Sequence, residues 1–401
     1  MNNTETPRLY LDYASATPLR LEAEAAYKLT SGIQGNPGSI HEEGRIAAKS
    51  LLRSREALAH ELGAKAREIV FTSGLTEANN LAILGYANHL ERSKKAGLMG
   101  THWIVSSIEH QSVLACFAEI ERRGGTVTHI DPDARGLVLA QEVQMQLRED
   151  TVCVSIGWAN SETGMVQPLR DISQAIHASE RIFGTQILFH VDAGQAPLYF
   201  APSVHTLGVD LFSLGSGKLY GPRGIGALYI GKRAELGPII VGGGQERGMR
   251  GGTESPALAA GFAAALVTAG EEREKERERL HILKEDVWHC LEQTIPGVVM
   301  NGAVHHSLPH MLNFSIPHIQ SEYLILALDQ QGIACSTKSA CSEGRVNESH
   351  VIVAMVKNDA EMWRSRNSIR VSFGIHTKEG DMMQFANTLS RILKELPVSS
   401  V

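Results

Sequence analysis

Val209-Asp210-Leu211-Phe212-Ser213-Leu214-Gly215-Ser216-Gly217-Lys218-Leu219-Tyr220-Gly221-Pro222-Arg223-Gly224 is the stretch on which the reading of the chain turns. An apolar run stops at a turn of small residues, and one lysine sits in that turn. Glycines and a proline then force a tight exit into a second apolar run, Ile225 to Ile230. A lysine so placed is a phosphate clamp, a nucleophilic amine or a surface residue of a hairpin turn. A Walker loop needs Gly five residues before Gly217 and Ser or Thr after the lysine; Phe212 and Leu219 stand there. A dinucleotide fingerprint needs Gly at 220, which is Tyr. What remains is an amine on a constrained strand-end turn, ready to hold an aldehyde as a Schiff base, against the plain surface lysine.

Outward from this turn, short apolar runs alternate with helical patterns. Ile69-Val70-Phe71, Trp103-Ile104-Val105, Val127 to Ile130, Val152 to Ile156 and Gln186 to Val191 read as strands. Arg45 to Leu62, Gln111 to Arg122, Leu139 to Leu147 and Leu169 to Ala178 read as the helices between them. The expected class is α/β, a mostly parallel sheet with helices on both faces. Near Ala260 the composition shifts. A small-apolar helix runs into Glu271 to Arg279, a charge run that reads as a solvated helix face. Beyond it Met311 to Ile316, Glu322 to Gln330, Ile369 to Phe373 and Asp381 to Leu396 read as a smaller α+β domain. The expected division is 16–261 for a large domain, with 1–15 and 262–401 forming the small one.

Of 401 residues, 43% are apolar and 20% charged, with net charge −6 and both signs mixed. This is a globular composition without the basic footprint of a nucleic-acid binder. The polar start of the chain has no apolar signal region, and Ala257 to Ala269 is too short to span a bilayer. Five scattered cysteines do not form a disulfide framework, so a reducing cytoplasm is expected.

Other strand ends carry polar residues. Asp192, in His190-Val191-Asp192-Ala193-Gly194-Gln195, is either a ligand carboxylate at the carboxyl end of a strand or a helix cap. Thr72-Ser73-Gly74-Leu75-Thr76 offers N–H groups and hydroxyls at a helix start, a phosphate cup or an ordinary cap. His110 follows another strand, where it can stack on a flat ring or move protons, or serve structure alone. Cys341, in Ser339-Ala340-Cys341-Ser342-Glu343-Gly344, has the small polar surroundings of an exposed nucleophilic thiol; burial is its bland alternative. Cys116, Cys153, Cys290 and Cys335 read as buried. Arg370 interrupts an alternating strand and calls for a carboxylate partner or faces outward. His305, His306 and His310 have no acidic or Cys neighbours at metal spacing, and read as solvated; no metal site is expected.

In this order the motifs resemble the NifS-like (group I) cysteine desulfurases of the class V aminotransferase superfamily, from Tyr10-Leu11-Asp12-Tyr13 to the last helix. Gly35-Asn36-Pro37, Glu109-His110, Glu162-Thr163-Gly164, Tyr220-Gly221-Pro222-Arg223-Gly224 and Gly242 to Arg250 belong to the same series. The resemblance implies a homodimer of fold-type I that uses pyridoxal 5'-phosphate. It turns L-cysteine into alanine and passes the sulfur, through a persulfide on Cys341, to an acceptor in iron–sulfur cluster assembly or tRNA thiolation. Lys218 would carry the cofactor, Asp192 pair with its ring nitrogen, Gln195 and Ser161 approach its ring oxygen, and His110 stack on it. Leu75, Thr76 and Ser216, with Thr253 across the dimer interface, would hold the phosphate, and Asn36 and Arg370 the substrate carboxylate. Cys341 could transiently ligate a cluster. Neither nucleic acid nor membrane is an implied partner. A selenocysteine lyase or aminotransferase on the same fold, or an inactive scaffold, is the alternative. Two positions depart from the family pattern: Gly217 stands where His usually precedes the lysine, and Ser161 replaces an Asn. The hypothesis that follows is weaker cofactor retention or a shifted substrate choice.

Overall fold

Strands whose two faces are both apolar must be covered on both sides. In the computed structural model, which describes residues 8–93, 97–337 and 348–395, this happens around a sheet of seven strands. Twelve strands are formed among the described residues: β1 (Leu9–Tyr10), β2 (Ile69–Thr72), β3 (His102–Ser106), β4 (Thr126–Ile130), β5 (Thr151–Ser155), β6 (Leu188–Asp192), β7 (Leu211–Gly215), β8 (Gly226–Ile230), β9 (Val299–Met300), β10 (Met311–Ser315), β11 (Ile333–Ala334) and β12 (Ser368–Ser372). The large sheet runs β2-β8-β7-β6-β5-β3-β4. Its neighbours pair in parallel except at β8, which is antiparallel to both β2 and β7. The α/β class expected from the alternation is the one observed.

The helices are α1 (Leu21–Ser31), α2 (Glu42–Leu62), α3 (Leu75–Ser93), α4 (Gln111–Arg122), α5 (Ala140–Gln146), α6 (Leu169–Phe183), α7 (Val204–Leu207), α8 (Pro256–Thr294), α9 (Ser321–Gln330), α10 (His350–Met355) and α11 (Glu379–Glu395). Alternate strand residues sort into two cores. Val70, Trp103, Val105, Cys153, Leu211 and Leu228 pack under α3 and α4. Ile69, Phe71, Ile104, Val154, Phe189, Phe212 and Leu214 meet α2, α6 and α8 on the other face. Each fully buried Leu, Ile or Phe contributes roughly 1.5–3 kcal/mol. The apolar stretch and the charge run read near Ala260 form one 39-residue helix, α8, capped by the Ser255 hydroxyl with Pro256 in its first turn.

Beyond α8, β9, β10 and β12 make a three-stranded antiparallel sheet, and β11 pairs with β1. The N-terminal segment therefore crosses the molecule: Leu9 and Tyr10 lie against Ile333 and Ala334, and Asp12 bridges to Ser372. The segment after them reaches the ends of β6 and β7, so residues from the first and last parts of the chain meet at the carboxyl ends of these central strands. No described helix is long and apolar enough to cross a membrane.

Candidate active site

The carboxyl ends of β3, β5, β6 and β7 open on one cavity of about 200 Å³, the place where open α/β sheets put their ligands. Its lining includes Leu75, Thr76, Glu109, His110, Ser161, Asp192, Gln195 and Lys218. Seven of these were singled out as site residues from the sequence. Lys218 ends a single 3-10 turn, Ser216–Lys218, that follows β7 directly. The turn is held from outside: the Gly217 carbonyl accepts from the Thr17 hydroxyl at 3.1 Å and from its N–H at 3.2 Å. The Lys218 Nζ donates to the carbonyls of Ala14 and Ser15, both at 2.7 Å. Tyr220 leaves the turn at φ 60°, an unusual left-handed conformation for a residue with a Cβ.

Asp192 closes β6 one strand away. It is 8% exposed. Its Oδ1 accepts the Gly194 N–H at 3.0 Å, and its Oδ2 accepts from Asn79 Nδ2 at 2.7 Å. Asn79 is fully buried on α3 and also donates to the Ser112 hydroxyl at 2.9 Å. Ser112 in turn touches His110 Nδ1 at 2.8 Å, and its N–H donates to that nitrogen at 3.1 Å. An N–H can only donate, so Nδ1 is an acceptor and the neutral ring carries its proton on Nε2. Burial lowers the His110 pKa, with Lys218 and His350 acting the same way and Asp192 opposing, so the neutral form is favoured.

Glu109 also lines the cavity. Its Oε1 accepts the Gly157 N–H at 2.9 Å. Burial, with help from Asp192, pushes its pKa up to about 8. At neutral pH it is a protonated acid. Gln195 donates to the Ala14 carbonyl at 2.6 Å, and its Oε1 faces His310 Nε2 at 3.0 Å. His310 was expected in solvent. It is instead 2% exposed, stacked 4.7 Å from Tyr199, with its pKa lowered to about 3 chiefly by burial. The fold turns the end of the loop inward and packs His310 beneath the site, while His305 and His306 are exposed as expected. With its amide nitrogen committed to Ala14, Gln195 must accept from His310. That fixes which end of the amide can turn a second N–H to the cavity.

The phosphate-type cup is formed at the start of α3. The first-turn N–H groups of Leu75 and Thr76 have no acceptor inside the helix, and the helix dipole favours an anion there. A Cβ on Gly215 would come within 2.8 Å of the Leu75 Cβ, so this helix start rests on the end of β7 only because residue 215 is glycine. Ser216, the first residue of the turn after β7, is fully buried, with no hydrogen-bond partner for its Oγ, and is not among the residues lining the cavity. These are the features a phosphorylated pyridine aldehyde needs: an anion cup, a buried carboxylate for a ring nitrogen, an amide donor and an amine. The site therefore fits that group.

Other expected residues are placed differently. Arg370 is 1% exposed and lies at the rim, donating to the Ser161 carbonyl at 3.0 Å, to the Ser15 hydroxyl at 2.7 Å and to Asp12 Oδ1 at 2.7 Å. Its Nε has no partner. Asn36 is exposed, folds back on the Gly38 N–H at 2.9 Å and does not line the cavity. Thr253 is exposed and lies outside the lining as well. Cys341 falls outside the described residues. Of the thiols read as structural, Cys116 and Cys153 are buried, while Cys290 and Cys335 are half-buried. Asn79, Ser112 and Glu109 were not proposed as site residues. For Asn79 the signal was an amide on an apolar helix face, between Ala78 and Leu81.

The fold is shared with proteins of known family. The aminotransferase class-V family model matches residues 9–385. The chain belongs to this family, in its cysteine desulfurase branch. It is 38% identical to the cysteine desulfurase IscS of Dictyoglomus turgidum, over 97% of this chain and 95% of that one. Among solved structures, a NifS-like protein aligns with TM-score 0.87 and 30% identity, covering 97% of this chain and all of that one. SspA in complex with cysteine aligns with TM-score 0.77 and 32% identity, covering 91% and 99%.

Proposed function

We propose that this chain is a cysteine desulfurase that binds pyridoxal 5'-phosphate in the cavity between Lys218 and Asp192. The observation that carries the reading is that one cavity gathers an amine at a strand end, a buried carboxylate on the next strand and a helix start able to take a phosphate. When bound, the cofactor would supply an electron sink for bond breaking next to an amino-acid α-carbon. The protein's own residues do the rest. Lys218 would hold the aldehyde. Asp192, fixed by Asn79 and Gly194, would keep a proton on the ring nitrogen. Leu75, Thr76 and Ser216 would hold the phosphate, and Gln195 and Ser161 would serve the ring oxygen. His110 would stack on the ring; with its proton on Nε2 it starts as a donor. Arg370 would take the substrate carboxylate, sharing or releasing Asp12; Asn36, which lies outside the cavity lining, would join it only by leaving its contact with Gly38. Cys341, as thiolate, takes the sulfur of L-cysteine, leaving alanine and a persulfide that passes to an acceptor.

The same reading includes a homodimer in which Thr253 reaches the partner's phosphate, a large domain of 16–261 with a small domain of 1–15 and 262–401, and a cytoplasmic setting. The test is incubation of the full chain with L-cysteine and a reductant. Alanine and sulfide should appear in equal amounts, and Cys341→Ala should suppress both. Full sulfide release by Cys341→Ala would remove the thiol from the mechanism, and no alanine from the wild type would remove the activity.

A further inference from the structure

The loop between β9 and β10 was expected to present solvated histidines without metal partners. The fold brings it against α8, whose residues are near it in space only. His281 and Glu285 lie one turn apart on α8, with His281 Nε2 at 3.3 Å from Glu285 Oε1. His305 of the loop reaches the same oxygen with its Nε2 at 3.9 Å. The two imidazole rings are 5.5 Å apart, centre to centre, and tilted by 52°. The three ligand atoms lie within 4.8 Å of one another.

We propose that His281, Glu285 and His305 form a binding site for one divalent transition-metal ion of the zinc class. Metal–ligand bonds of about 2.0–2.2 Å in a tetrahedron put neighbouring ligand atoms roughly 3.3 Å apart. One observed edge already has that length, and the others close with small side-chain rotations. Two imidazoles and one carboxylate select zinc, cobalt or nickel over magnesium or calcium, which prefer oxygen alone. An exposed site leaves the fourth position to water.

The loop backbone is fixed on both sides of His305, so binding orders little more than side chains. The Ser307 hydroxyl donates to the carbonyls of Ala303 at 2.6 Å and Val304 at 2.9 Å. Lys284, buried one residue before Glu285, donates to Ser307 Oγ at 2.5 Å and to the Leu308 carbonyl at 3.1 Å. The His306 carbonyl accepts the Val166 N–H at 3.1 Å, and the Gly164 carbonyl accepts the Leu308 N–H at 2.8 Å. The ion would thus pin to α8 a loop that backs the Asn160 to Gln167 segment of the cavity wall. None of the three ligands is among the residues given a catalytic or binding role above, and the proposal does not rest on the cofactor reading.

The test is a titration of chelator-stripped full-length holoenzyme with Zn²⁺ in competition with a chromogenic indicator, and with Co²⁺ as an optical probe. The wild type should bind one ion that His281→Ala and His305→Ala each weaken at least about tenfold, with Glu285→Gln intermediate. Metal-free turnover and thermal midpoint should be unchanged in all three. The Co²⁺ form should lack the strong near-ultraviolet band of a thiolate ligand. Equal binding by wild type and His305→Ala, no binding by either, or a thiolate band that survives in the variants would each overturn the proposal.

Discussion

Lys218 and Lys284 are both drawn out of bulk water, and each gives hydrogen bonds to two protein oxygens. Lys218 reaches the carbonyls of Ala14 and Ser15 at the mouth of the cavity. Lys284 reaches Ser307 and Leu308 in the core and is 1% exposed. Burial drives the Lys284 pKa down to about 7, opposed only by Glu285. The deeper of the two is not the one placed for chemistry; their surroundings decide that. Beside Lys218 stand a cavity, a carboxylate and a helix start; Lys284 instead docks a loop. A perturbed lysine alone does not mark a catalyst.

The largest effect expected is at Lys218. Lys218→Ala should abolish the visible absorption of bound cofactor and reduce alanine formation by about 10³-fold or more. Lys284→Met should keep the absorption band and most of the turnover, and loss of both would erase the contrast.

Lys284 should instead show in stability against pH. Its pKa is lower in the folded chain than the ordinary 10.5 of an unfolded one. Between about pH 7 and 10.5 the unfolded chain therefore binds more protons, so stability from this group rises with pH there and is flat below about 7. The slope approaches about 1.4 kcal/mol per pH unit at most. Denaturant midpoints at pH 7, 8 and 9 should climb in the wild type more steeply than in Lys284→Met. Equal slopes would mean that the buried amine stays charged.

Glu109 has the opposite sign. Its pKa of about 8 lies above the ordinary 4.5, so the folded state binds more protons between these values, and stability falls as pH rises through the window. Glu109→Gln, which mimics the protonated acid, should keep turnover within about threefold at pH 7 and flatten that fall. A loss of 100-fold at pH 7 would mean that a carboxylate is needed there.

The same contrast explains what could be read from the chain. Strand ends are legible because apolar runs stop at polar residues, and this located Asp192, His110, Lys218 and the helix start at Leu75. The large sheet followed from the same alternation. Distance in sequence hid the rest. Arg370 meets Asp12 across 358 positions, and nothing local to either shows the pair. His310 read as solvated because it follows a loop proline and has no acidic or Cys partner near it in sequence, while Tyr199 and Gln195, which cover it, are supplied by another part of the fold. The protonation of Glu109 depends on burial that no motif encodes.

The smallest effect is expected at Gly217. A Cβ there would lie 3.3 Å from Arg223 Cγ, so a larger residue fits if that side chain yields a little. Gly217→His should tighten cofactor retention by no more than about tenfold, about the worth of one hydrogen bond, as read by dialysis and spectroscopic titration. Unchanged retention would mean that the α3 start and Ser216 already suffice.

The most direct test of the central claim compares the two lysines in one sample. Holoprotein treated with borohydride and digested should yield a single peptide carrying the reduced phosphopyridoxyl group, on Lys218, with Lys284 unmodified. Labelling of Lys284 or another lysine in place of Lys218, or no labelled peptide from protein saturated with the cofactor, would contradict the assignment.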